Sequence, residues 1–153
     1  MNRPNSPTAP SEPAAQSAAG SSSEHFQVRE DETPWTNEEL AGVKDELEAD
    51  VAKLTSELAG MEHEMADLIS DSGDGAGDDH ADAGAKSFER EHEFSLADNS
   101  RQMLEQSEHA LERIADGTYG ICEDCGTPIG KLRLQAFPRA TLCMQCKQKQ
   151  ERR

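Results

Sequence analysis

Four cysteines are the residues of this chain best suited to chemistry. They form two pairs, Cys122-Glu-Asp-Cys125 and Cys143-Met-Gln-Cys146, with 17 residues between them. That spacing is a zinc signature. Each two-residue spacer turns two sulfurs to one side, and the intervening stretch folds back so that four thiolates make a tetrahedron. Four thiolates leave no open coordination position. The expected cofactor is therefore one structural Zn²⁺ on Cys122, Cys125, Cys143 and Cys146, rather than a catalytic ion. Gly126 follows the second cysteine, where the backbone must turn past the metal. A dithiol redox pair is the competing reading, but two pairs at this spacing are better explained by metal.

Carboxylates are the other concentrated group. Five aspartates lie from Asp71 to Asp82 with no lysine or arginine among them. An EF-hand calcium loop starting at Asp71 would place Gly73, Gly75 and Ala76 at ligand and turn positions, so the pattern fails. A solvated turn remains, or a functional tip carried far from the cysteines. His25, His63, His80, His92 and His109 make no metal spacing with the cysteines and are read as surface residues. No Ser/His/Asp set, P-loop or Gly-rich nucleotide loop is present, so no catalytic residue is assigned.

The elements that position these groups follow from periodicity. Thr36 and Glu39 have the capping-box spacing, and Trp35 with Leu40 has that of a hydrophobic staple. Leu40, Leu47, Leu54, Met61 and Leu68 then recur every seven residues, with Val51, Leu58 and Met65 at the companion position. Lys44 is the one miss, partly covered by Val43. This predicts a coiled-coil helix over about 36–70. Gly73, Gly75 and Gly77 break it. A second helix is expected over 82–116, N-capped by Asp82, with the stripe Phe94, Ala97, Leu104, Leu111 and Ile114 interrupted by Arg101 and Ser107. It should end at Asp116-Gly117. Two such helices, each about 50 Å long, make an antiparallel hairpin.

The fold expected is mainly α: an antiparallel coiled-coil helical hairpin over 34–117 with its acidic tip near 71–84, then a small C-terminal four-cysteine zinc ribbon over 118–153 ending in a short basic helix. Residues 129–141 are expected to form a β-hairpin bending near Pro138. The core there would be Tyr119, Ile121, Ile129, Leu132, Leu134, Phe137 and Leu142, small enough to need the metal. Residues 1–33, rich in Pro, Ser, Ala and Glu with one Phe and one Val, are expected to be a disordered tail.

Composition limits the possible partners. The chain has 153 residues, 34% hydrophobic, with a formal net charge of -16. That excludes a broadly basic nucleic-acid coat. No apolar run approaches the roughly 20 residues of a membrane span, and no apolar leader is visible. A cytoplasmic location is expected, where cysteines serve metals more often than disulfides. The charge is split: residues 1–130 carry 30 acidic and 8 basic side chains, whereas residues 131–153 carry 7 basic and one acidic. The basic end offers Lys131, Arg133, Arg139, Lys147 and Lys149 as candidate partner-binding residues.

An acidic helical hairpin followed by Tyr119-Gly120-Ile121-Cys122-Glu123-Asp124-Cys125-Gly126, Ile129, Arg133-Leu134-Gln135-Ala136, Pro138 and Leu142-Cys143-Met144-Gln145-Cys146-Lys147 resembles the DksA/TraR family of bacterial transcription regulators. With the hairpin, the resemblance covers roughly residues 36–150 and leaves the N-terminal tail unmatched. It implies a non-enzymatic protein, a monomer, that binds RNA polymerase rather than a DNA sequence. It also implies that the hairpin enters the secondary channel, so that its tip approaches the active site and changes initiation, often together with ppGpp. The family tip reads D-x-x-D-x-A. Asp79-His80-Ala81-Asp82-Ala83-Gly84 matches the two acids at the expected distance from the first cysteine, with Gly84 in place of Ala. Asp71-Ser72-Gly73-Asp74-Gly75-Ala76 matches in letters but lies eight residues further out. Asp79, Asp82 and Gly84 are therefore the expected tip. A zinc-ribbon nucleic-acid binder and a coiled-coil adaptor or dimer are the alternatives.

Overall fold

The computed structural model describes residues 23–71 and 80–153. Its elements are a 3-10 turn, Ser23–His25, and four helices: α1 Asn37–Asp71, α2 His80–Asp116, α3 Lys131–Ala136 and α4 Met144–Glu151. The expected helix starts explain α1 well. The Thr36 backbone N–H donates to Glu39 Oε2 at 3.0 Å, and the Glu39 N–H donates to Thr36 Oγ1 at 3.2 Å. This is the reciprocal capping box, and it leaves two fewer orphan donors at the helix start. Trp35 and Leu40 are both buried in one cluster.

The two long helices pack antiparallel, because the start of α1 meets the end of α2. Leu40, Val43 and Leu47 share a core cluster with Ala110 and Ile114. Further along, Glu62 of α1 pairs with Arg101 of α2 at 3.7 Å. α1 supplies the large side chains, burying Leu40, Val43, Leu47, Leu54 and Leu58. α2 answers with small ones: Ala97, Ser100, Ser107 and Ala110 are buried before Ile114. Small residues on one helix let leucines from the other fill the seam.

The expected stripe on α2 is corrected in two places. Phe94 is 48% exposed, and Ser107 is fully buried. The Ser107 hydroxyl donates to the Met103 carbonyl at 3.0 Å, so a polar residue sits in the seam with its hydrogen bond made inside its own helix. α2 also starts at His80, two residues before the expected cap. Ala81 and Ala83 are strong helix formers that favour the earlier start. Asp82 thus lies in the first turn of α2 rather than at its N-cap. Asp79 and Asp74 lie outside the described residues.

α2 ends in a Schellman motif. Gly117 has φ +78°, the Thr118 N–H donates to the Arg113 carbonyl at 2.9 Å, and the Gly117 N–H donates to the Ile114 carbonyl at 3.3 Å. The chain then enters the zinc end. No strand forms among the described residues; an isolated bridge joins Ile121 to Pro128. The expected β-hairpin over 129–141 is instead the helix α3. Lys-Leu-Arg-Leu-Gln-Ala consists entirely of good helix formers. Helical spacing turns Lys131 and Leu134 inward and leaves Leu132 and Phe137 72% and 62% exposed, so these two leave the expected core.

Their place is taken from the N-terminal side. Phe26 and Trp35 are buried beside Tyr119, Ile129 and Leu134. Order therefore reaches back at least to Ser23, not to residue 34. Phe26 is buried in the core with Val28 packed against it, and Glu32 Oε2 accepts from the Lys131 N–H at the start of α3, so this otherwise polar stretch is held against the zinc end. Residues 1–22 lie outside the described part of the chain.

Candidate functional site

The zinc end is built from two turns. In the first, the Cys122 N–H donates to the Thr127 carbonyl at 2.8 Å, and the Gly126 N–H returns to the Cys122 carbonyl at 2.9 Å. Gly126 has φ +73°, which makes the glycine a requirement of the turn. The second turn opens α4, with Cys143 at its N-cap and Cys146 in its first turn. The Glu123 N–H donates to the Thr141 carbonyl at 3.0 Å, and the Cys143 N–H donates to Cys122 Sγ at 3.3 Å, joining the turns.

The four sulfurs of Cys122, Cys125, Cys143 and Cys146 all lie within 4.8 Å of one another. Cys125 Sγ and Cys143 Sγ are 3.7 Å apart. Tetrahedral zinc with Zn–S near 2.3 Å requires an S···S edge of about 3.8 Å. The donor set fits one structural zinc with no position left for substrate. The surroundings favour thiolate at two of the four. The Thr127 hydroxyl, 3.0 Å away, leads the groups that hold the Cys125 thiol down to about 6. Burial opposes the charge on Cys122, but the backbone N–H groups of Cys143, Cys125 and Asp124 outweigh it and lower its pKa. The Cys146 thiol is pushed up, first by Asp124 and then by burial. Thr127 escaped the sequence reading. A hydroxyl two residues past a ligating cysteine was its available signal.

The basic candidates separate: Arg133, Arg139 and Lys147 line one concavity together with Glu46, Asp50 and Glu151, and Lys131 does not reach it. Lys131 is 7% exposed and points inward, so it is removed from the partner-binding set. Arg133 is half-buried, donating from Nε to the Leu142 carbonyl at 3.3 Å, with its guanidinium 5.8 Å from the centre of the Phe137 ring. Arg139 is also half-buried. Lys147 and Lys149 are exposed on α4, Lys147 within 3.8 Å of Glu151. At the far end of the hairpin, Gly84 is exposed within α2. A side chain added there would meet nothing within 4 Å.

Residues 117–152 match the prokaryotic dksA/traR C4-type zinc finger family. The solved structure of transcription factor DksA2 from Pseudomonas aeruginosa aligns with a TM-score of 0.61 and 31% identity, covering 76% of this chain and 85% of that one. The chain belongs to the DksA/TraR family. Among curated proteins, the RNA polymerase-binding transcription factor DksA of Caulobacter vibrioides is 39% identical over 75 residues, 49% of this chain and 53% of that protein. The protein of the same name from Escherichia coli K12 is 42% identical over 62 residues, 38% of this chain and 41% of that protein. The matched stretch thus spans about half the length of the curated relatives, or less. In the DksA/TraR setting the four cysteines are the C4 zinc site, and the long hairpin is the element projecting from it. No helix among the described residues is long and apolar enough to cross a membrane.

Proposed function

We propose that this chain is a non-enzymatic regulator of transcription that binds RNA polymerase. In this reading the zinc end and α4 seat on the enzyme, and the hairpin enters the secondary channel. The tip, with Asp79, Asp82 and Gly84, meets the active-site region and changes initiation. The observation that supports it most is the arrangement itself: a closed C4 site at one end of an antiparallel rod of about 50 Å, aligned over most of a DksA2 structure. A closed tetrahedral zinc supports a structural role for the metal rather than catalysis. The rod's surplus of carboxylates supports a protein partner with basic walls and disfavours free DNA. The protein acts as a cytoplasmic monomer, and ppGpp is a candidate co-effector at the same complex.

The test is equilibrium binding of the zinc-loaded chain to core RNA polymerase, with duplex DNA as competitor. Saturable binding that DNA displaces poorly is expected. Exchanging Lys147 and Lys149 for Glu should weaken it and flatten its salt dependence, because both are exposed on α4. Absence of polymerase binding, or tight sequence-selective binding to duplex DNA, would overturn the reading.

A further inference from the structure

Lys131 is a buried cation at the junction of three parts of the molecule. Its ammonium lies 2.6 Å from Glu39 Oε2 on α1. It donates to Thr33 Oγ1 at 3.1 Å and to the Pro34 carbonyl at 3.3 Å, both in the segment leading into α1. The Thr33 carbonyl, at 3.5 Å, is a fourth acceptor, so the three protons of the ammonium all have partners. The Trp35 ring lies beneath, its centre 5.8 Å from Nζ. The backbone of the same residue is held as well: Glu32 Oε2 accepts from the Lys131 N–H at 2.7 Å, and Glu32 Oε1 from the Leu132 N–H at 3.4 Å. The zinc end is thus tied to α1 through Lys131 and to the segment before it.

A separate tie runs to α2. Arg113 donates from one guanidinium nitrogen to the carbonyls of Thr118 and Ile121, and His109 meets Glu123, which lies between the first two cysteines. Two ties on different helices fix a direction, where one would leave a pivot. The direction matters because the rod is long. Over about 50 Å, a swing of about 10° at the base displaces the tip by about 9 Å, enough to lose any contact there.

We propose that Lys131 and Glu39 are positioning residues that set the angle at which the hairpin leaves the zinc end. Where this concerns transcription it rests on the reading above; where it concerns geometry it stands alone. The Glu39 carboxyl is held below its usual range, first by the hydrogen bond from Lys131. Glu39 also serves the capping box, and glutamine serves there equally. Glu39→Gln therefore removes the charge without removing the cap. Lys131→Met removes the ammonium and keeps the apolar stem.

The test uses the full, zinc-loaded chain with spin-labelled non-natural amino acids at exposed Ala66 and Gln150. Pulsed electron paramagnetic resonance reads the distance between them; zinc content and helicity serve as folding controls. A narrow distance distribution is expected in the parent, broadened by several ångströms in Lys131→Met and in Glu39→Gln. The double variant should be no broader than the worse single one, because the pair acts as a unit. Core polymerase should bind all forms with similar affinity, while the effect on initiation falls about tenfold in the variants. Unchanged distributions in both folded variants would overturn the inference whatever polymerase does. Broadened distributions with undiminished regulation would overturn the positioning role. If the parent itself failed to bind polymerase, the functional reading would fall, and the distances alone would decide this one.

Discussion

Cys125 differs from its three partners in being exposed and in receiving a side-chain hydroxyl. Thr127 lies 3.0 Å from its sulfur and is the first cause of a thiol pKa near 6. A hydrogen bond to the thiolate form lowers the pKa, and zinc binds the thiolate in competition with protons. Thr127→Val removes the donor while keeping the shape. The Cys125 thiol then rises toward its ordinary range, so at neutral pH protons compete better for the sulfur. Zinc affinity should fall by about 10- to 100-fold, as is usual when an outer partner of a ligand is lost. The deficit should shrink as pH is raised above the ordinary thiol range, where both forms are deprotonated. Chelator competition across pH measures this; a pH-independent deficit would point to a distorted turn instead. The four ligands were legible from spacing because two-residue spacers fix their geometry locally. Lys131 was misread because its partners Thr33, Pro34 and Glu39 lie more than 90 residues away in sequence, and spacing carries no such information.

The helices and the zinc end depend on different forces. The α1 heptad was legible because leucines at a fixed period report a seam directly. The partner face was half legible, because Ala97, Ser100, Ser107 and Ala110 enter the seam through their smallness. α3 was misread as strand because a six-residue apolar–polar run satisfies either period, and only Lys131 and Leu134 turning inward together reveals a helix. Leu54 is 5% exposed in the middle of the seam, whereas Phe88 is 74% exposed on α2. Leu54→Ala should cost about 2–5 kcal/mol, and Phe88→Ala should stay within about 0.5 kcal/mol. Urea unfolding followed by circular dichroism measures both; similar costs would mean that the hairpin buries a different face. Zinc removal should act elsewhere. A strong chelator should release the turns around Cys122 and Cys143, while α1 and α2 keep part of their helicity through the leucine seam. Complete loss of helix on chelation would show that the hairpin depends on the metal.

At the scale of the whole molecule, seating and action are assigned to opposite ends, and the tip is where they can be separated. Asp82 lies in the first turn of α2 and Asp71 is the last residue of α1. Helix polarity gives the two opposite stability effects. A carboxylate is favourable near the start of a helix and unfavourable near the end, each by about 0.3–1 kcal/mol. Asp82→Asn should therefore destabilise α2 slightly, and Asp71→Asn should stabilise α1 slightly. These effects are small beside the leucine seam, so neither exchange should alter helicity or zinc content. Regulation should respond in a different pattern. Asp79→Asn with Asp82→Asn keeps side-chain size but removes two charges from the proposed tip. Core polymerase should still bind with modestly reduced affinity, while the effect on initiation in vitro largely disappears. Asp71→Asn with Asp74→Asn should leave regulation intact despite removing the same charge. Gly84 adds a test of gain. Its surroundings leave room for a methyl group, and alanine is about 1 kcal/mol better than glycine within a helix. Gly84→Ala restores the family pattern after Asp82 and should strengthen regulation without changing the seat. If the Asp71/Asp74 exchange abolishes activity and the Asp79/Asp82 exchange does not, the tip lies eight residues further out. If neither matters while polymerase is bound and regulated, tip carboxylates are not the means by which this rod acts.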